Sequence, residues 1–145
     1  RGLLAELPGP VTPARRSRSG RAARRVLAQE AAAFVAGRYH EHLPRLLHSA
    51  SAALHCSPFH LARVFHAELG VTLHQYRERL RFAAAVRMLV DDADGGFAPL
   101  ARDLGYATHS HFTAAFRRTC GVTPRDARAA FRRADPAELR RILTA

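Results

Sequence analysis

A block of this chain occurs twice, 51 positions apart. The matched pairs are Ala50/Ala101, Ser57/Thr108, His60/His111, Leu61/Phe112, Phe65/Phe116, Gly70/Gly121, Val71/Val122 and Thr72/Thr123. Each copy runs from an apolar-periodic segment through a turn to a hydroxyl residue suited to cap a helix. A second periodic segment follows, and then a glycine suited to end it. That order reads as a helix-turn-helix, so the chain is expected to carry two.

The segments around the repeat support the same reading. Residues 1–20 hold Pro8, Pro10, Pro13 and the run Arg15-Arg16-Ser17-Arg18-Ser19. They are expected to be a disordered basic arm, whose functional reading is loose phosphate binding. Ala23, Leu27, Ala31 and Phe34 form a stripe that predicts a helix over 21–36, stopped by Gly37. A second helix is expected over 44–54, with Pro44 in its first position and Leu47, Ala50 and Leu54 on its buried face. The turn His55-Cys56 and the cap Ser57 lead into a helix Pro58–Leu69. It should bury Leu61, Val64 and Phe65 and turn Phe59, Ala62, Arg63 and His66 outward.

Residues 72–91 predict a long helix capped by Thr72, with one stripe of Leu73, Tyr76 and Leu80 and another of Phe82, Ala85, Val86 and Leu89. A helix apolar on two sides needs partners on two sides. Twenty residues at 1.5 Å rise span about 30 Å, a suitable strut between two units. Gly95 and Gly96 break it. The second copy then predicts a helix from about Pro99 to Leu104, a turn at Gly105-Tyr106, the cap Thr108 and a helix His109–Thr119. Phe112, Ala115 and Phe116 should face inward, and Ser110, Thr113, Ala114 and Arg117 outward. A last helix over 124–133 carries Arg125, Arg128, Arg132 and Arg133. The expected fold class is all-α, two helix-turn-helix subdomains joined by a long linker helix. The expected organisation is a basic arm at 1–20, one domain at 21–133 and a tail at 134–145. Within the domain the first helix-turn-helix covers 44–69, the linker helix 72–91 and the second helix-turn-helix 97–120.

Charge narrows the class of partner. The net charge is +11 and every one of the 23 basic residues is arginine. Residues 1–25 hold seven Arg against Glu6, and residues 26–145 hold 16 Arg against 11 acids. The excess points to a polyanion. The absence of lysine fits GC-rich codons as well as phosphate recognition by a planar guanidinium. Cys56 and Cys120 make no disulfide framework, and both are expected to be free, buried thiols in a reducing compartment. The longest apolar run, Ala31–Ala36, is too short to span a membrane or act as a signal segment, so a cytoplasmic protein is expected. Its start at Arg1 reads as processed or excised.

The nine histidines raise a metal reading, with His40, His42, His55, Cys56 and His60 close together. No CxxC, HExxH or paired ligand spacing occurs, and His60 and His111 recur at the repeat spacing as a scaffold position would. Neither cysteine has an orienting acid nearby. No metal, cofactor, catalytic residue or enzymatic activity is therefore expected.

The run Leu100-Ala101-Arg102-Asp103-Leu104-Gly105-Tyr106, continued by Thr108-His109-Ser110-His111-Phe112, Phe116 and Gly121-Val122-Thr123-Pro124, resembles the second-half signature of AraC/XylS-type transcription regulators. Leu54-His55-Cys56-Ser57-Pro58-Phe59-His60-Leu61-Ala62-Arg63-Val64-Phe65, followed by Leu69-Gly70, resembles the first half. The resemblance covers roughly residues 24–130. It implies two homeodomain-like subdomains and a sequence-specific regulator of double-stranded DNA, with RNA polymerase as a further partner. The effector or dimerisation domain common at the N-terminus of such proteins is not expected within these residues. The family often has a long polar side chain where Ala62 and Ala114 stand here. Alanine can touch only a thymine methyl.

In a helix-turn-helix the second helix enters the major groove, and two such helices about 34 Å apart reach successive grooves on one side of the duplex. Base contacts are expected from Phe59, Ala62, Arg63, His109, Ser110, Thr113 and Ala114, and phosphate contacts from Ser57, His66, Thr108, Arg117 and Arg118. Arg63 suits the O6 and N7 edge of guanine, so the first unit should specify more and the second should mostly position. One chain should cover an asymmetric site of roughly 20 bp, two helical turns. Phe59 has a rival reading as a residue packed on a neighbouring helix. The rival for the whole chain is a non-specific architectural protein that coats nucleic acid by charge alone.

Overall fold

Capping chemistry sets the ends of the two repeated helices in the same way. The computed structural model describes residues 13–92, 94–135 and 137, and the arm 1–12 and most of the tail beyond 135 lie outside them. Among the described residues there are seven helices and no strand. They are α1 (Pro13–Arg38), α2 (Leu46–Ala53), α3 (Pro58–Leu69), α4 (Leu73–Asp91), α5 (Phe97–Asp103), α6 (His109–Cys120) and α7 (Pro124–Phe131). The Ser57 hydroxyl accepts from the His60 amide at 3.2 Å, and the Thr108 hydroxyl from the His111 amide at 3.1 Å. Gly70 and Gly121 end α3 and α6 in left-handed conformations, φ 71° and 82°. Thr72 and Gln75 form a reciprocal capping box that starts α4.

The double stripe of α4 is explained by two cores. Leu73, Tyr76 and Leu80 join a first core with Ala31, Val35, Leu46, Ala50, Leu61 and Phe65. Phe82, Ala85, Val86 and Leu89 join a second with Leu100, Leu104, Phe112, Ala115 and Phe116. α1 and α2 close the first core around α3, and α5 and α7 accompany α6 in the second. At 1.5 Å per residue α4 is about 28 Å long, so each core has roughly half of it.

Several local expectations are corrected. α1 begins at Pro13, so residues 13–20, expected in the arm, are helical. Its buried stripe is Ala28, Ala31 and Val35, with Ala23 exposed. Phe34 lies at the edge of that stripe under the Arg38 guanidinium, 4.5 Å from its ring centroid. α2 starts at Leu46 behind Arg45, not at Pro44, and Leu46 rather than Leu47 is fully buried. α5 starts at Phe97, which leaves Pro99 in its first turn, where a missing amide costs no helical bond. Cys120 is exposed and Cys56 half-buried. Cys120 ends α6 on the solvent side, as does its repeat partner Leu69 at the end of α3.

The repeat also slips by one residue. The Cys56 amide donates to Ser51 O at 3.0 Å and the Tyr106 amide to Ala101 O at 2.9 Å, closing equivalent turns. The left-handed residues of those turns are His55 (φ 52°) and Gly105 (φ 78°). First helices and turns thus align at a spacing of 50, while caps and second helices align at 51, with Ala107 as the extra residue. The structural counterpart of Ala50 is therefore Leu100, not Ala101.

Candidate nucleic-acid interface

The cores take one face of each repeated helix and leave the other free. On α3, Phe59, Arg63 and His66 are exposed and Ala62 is half-buried. Phe59 is 76% exposed, so it does not pack on a neighbouring helix. Its ring lies 5.8 Å from the Arg63 guanidinium carbon, a geometry that steadies both long side chains on one outward ridge. On α6, His109, Ser110, Ala114, Arg117 and Arg118 are exposed and Thr113 is half-buried. Together with Thr123 they line one open groove of about 760 Å³. The Thr113 hydroxyl and His109 Nε2 stand 3.3 Å apart, and the His109 ring stacks on Phe97 at 6.0 Å.

The residues predicted to contact phosphate stand at the caps and on the outward faces of the same two helices. The Ser57 and Thr108 oxygens are occupied as cap acceptors, but each hydroxyl keeps its proton to donate. Among the described residues no carboxylate lies within ion-pair distance of Arg63, Arg117 or Arg118. The outward faces of α3 and α6 therefore offer uncompensated guanidinium charge beside hydroxyl and imidazole donors.

Sequence reasoning missed a buried residue that bridges the two helix-turn-helix units. Arg81, on α4 at the seam between the cores, is 3% exposed. Its Nε donates to Tyr39 O at 2.8 Å, and its Nη2 to Glu41 O at 3.2 Å and to Gly105 O at 2.9 Å. Its Nη1 donates to Glu78 Oε1 at 3.1 Å, and its guanidinium lies 4.7 Å from the Tyr106 ring centroid. One planar cation thus joins the end of α1, the linker helix and the turn of the second helix-turn-helix. Glu78 takes the Tyr106 hydroxyl at 2.9 Å on its other oxygen. Burial and the Glu78 charge hold the Tyr106 phenol protonated well above its ordinary range. Arg77, which donates to Leu43 O at 3.0 Å, is shifted downward by burial and by Arg81. Burial and the Arg77 charge likewise lower His74. Gly105 is essential to the fit, because a Cβ there would stand 2.4 Å from His40 O. One sequence signal was available: an arginine between Leu80 and Phe82, on a helix with apolar stripes on both sides.

Two capped helices with free outward faces, backed by a shared strut, define a helix-turn-helix nucleic-acid binder. The sequence model of the family described as "Helix-turn-helix domain" matches residues 50–130. Regulatory protein PocR of Salmonella typhimurium is 31% identical over 78 residues, 54% of this chain and 25% of that protein. The chain thus spans about a quarter of that relative's length. Among solved structures, the C-terminal domain of AraT, a response regulator from Geobacillus stearothermophilus, superposes with a TM-score of 0.68 at 24% identity. That match covers 72% of this chain and 84% of the AraT domain. The DNA-binding domain of AdpA, a global transcriptional factor solved with a target DNA, superposes with a TM-score of 0.67 at 25% identity. It covers 75% of this chain and 96% of that one. The chain belongs to the AraC/XylS-type helix-turn-helix family of DNA-binding transcription regulators, a family of binding proteins and not of enzymes. No helix among the described residues is long and apolar enough to cross a membrane.

Proposed function

We propose that this chain reads double-stranded DNA in a sequence-specific way, with α3 and α6 inserted into successive major grooves along one side of an asymmetric site of roughly 20 bp. The observation that supports this reading is the Arg81 junction, whose hydrogen bonds to Tyr39 O, Glu41 O and Gly105 O tie the linker helix to the chain after α1 and to the turn of the second helix-turn-helix. α3 supplies most of the discrimination. Arg63 donates to guanine O6 and N7, Phe59 covers a thymine methyl, and Ala62 allows close approach. α6 adds His109, Ser110 and Thr113 at base edges, while Ala114 limits it to a methyl contact. Ser57, His66, Thr108, Arg117 and Arg118 hold phosphates and set the register. The protein works in the cytoplasm, at the nucleoid of a bacterial-type cell, and RNA polymerase is the partner that converts occupancy into regulation.

Selection from a random duplex library, followed by affinity at fixed salt, tests this. A selected duplex should bind about 10³-fold or more tightly than random sequence. Near-equal affinities would favour the architectural rival, and protection of a single groove face would remove the two-groove arrangement.

A further inference from the structure

The contacts proposed for α3 and α6 do not involve the arginines on and just beyond α7. Arg128 is 8% exposed. Its Nη1 donates to Gly95 O, and its guanidinium lies 4.1 Å from the Phe97 ring centroid. Its Nε and Nη2 are buried with no hydrogen-bond partner, and no described carboxylate forms an ion pair with it. An arginine keeps its charge even when desolvated. Such a cation is costly to bury without a counter-charge. The adjoining surface is an open groove of about 430 Å³, lined by Phe97, Arg125, Arg128, Ala129, Arg132 and Arg133. Arg125 and Arg133 are exposed, and Arg132 holds Asp94 at 2.6 Å.

The groove is not isolated. Phe97 and Arg125 also line an adjoining cleft of about 400 Å³ with His109, Thr113 and Thr123. Those three residues line the groove on the outward face of α6 as well. The surface thus runs from the reading face of the second helix-turn-helix to the α7 arginines without a break.

We propose that the α7 groove binds backbone phosphodiester of the strand that flanks the base pairs under α6. Arg125 and Arg133 donate to the phosphate oxygens, and Arg128, held by Phe97 and Gly95, forms a charged floor beneath them. The site extends the footprint past the second half-site and adds affinity without sequence preference. It rests on the DNA reading above. Continuity with the α6 groove selects a nucleic-acid strand over an acidic protein surface as the occupant.

The test uses the 145-residue chain, a duplex selected on it from random sequence, and the same duplex trimmed of its flank beyond the second half-site. The double variant Arg125→Ala/Arg133→Ala alters exposed side chains and removes one local hydrogen bond, Arg133 Nε to Ala129 O at 3.1 Å, and helical circular dichroism checks that its fold is kept. On the long duplex the slope of log affinity against log salt should fall by about two, close to 0.9 per released phosphate. On the trimmed duplex, variant and original chain should bind alike. Base preference should be unchanged on both. Arg128→Met, which keeps the packing on Phe97, should also lower affinity for the long duplex alone. The proposal is overturned if the double variant keeps the original slope on the long duplex, or if it loses the same slope on the trimmed one. An unchanged slope would hand the groove to an acidic protein partner instead. Failure of the underlying DNA reading has a different signature: the unaltered chain would not distinguish selected from random duplex.

Discussion

Replacing Arg81 by leucine should be the most damaging single change at the junction. The substitution removes every donor to Tyr39 O, Glu41 O and Gly105 O from this side chain and leaves Glu78 without its closest cation. Breaking a buried charge pair by deleting one partner costs about 3–5 kcal/mol. Glu78 is 35% exposed, so water recovers part of that loss, and the lower end of the range applies. The expected loss is about 3 kcal/mol, which for a chain of this size lowers Tm by roughly 10 °C. Guanidinium unfolding followed by helical circular dichroism measures it. Arg81→Lys should recover only a minor part, because one ammonium cannot serve three carbonyls and a carboxylate spread across a plane. A second readout separates positioning from plain stability. On duplexes whose half-sites are moved apart one base pair at a time, the original chain should show one sharp optimum. Arg81→Leu, assayed at a temperature where it is folded, should show a broad one. A stability loss under about 1 kcal/mol, or an equally sharp optimum in the variant, would refute the junction as the element that sets helix spacing.

Arg63→Ala should cost about 1–3 kcal/mol at one base pair and leave the others untouched, as read by affinity across single-substitution duplexes. Arg117→Ala should weaken all sequences alike and lower the salt slope by about one. Gly105→Ala should destabilise the chain by more than about 2 kcal/mol in denaturant unfolding, since its Cβ would clash with His40 O at a left-handed φ. His55→Gly should stabilise it by about 0.5 kcal/mol, the left-handed penalty less the entropy of glycine. Above pH 10 the unfolded chain ionises Tyr106 while the folded chain keeps it protonated, so stability should fall as pH rises. Tyr106→Phe should remove that share of the alkaline loss, and an unchanged alkaline slope would count against the buried phenol.

The sequence by itself determined the repeated helices and their faces. The caps Ser57, Thr72 and Thr108, the terminating Gly70 and Gly121 and the inward Leu61, Phe65, Phe112 and Phe116 were all legible. Capping and helical periodicity act within a few residues, and one sequence contains everything they need. The outward residues of α3 and α6 followed by subtraction. The rotated stripe of α1, the start of α2 and the exposure of Cys120 were not legible, because each depends on which neighbour packs against it. The one-residue slip at Ala107 hid behind an otherwise regular spacing. The junction was decided only by tertiary structure. Arg81 meets carbonyls 42, 40 and 24 positions away, and nothing local in the chain marks a backbone carbonyl as the acceptor of a distant guanidinium. Local rules fix what each helix presents, while the carbonyls that satisfy one buried guanidinium come together only when the chain has folded.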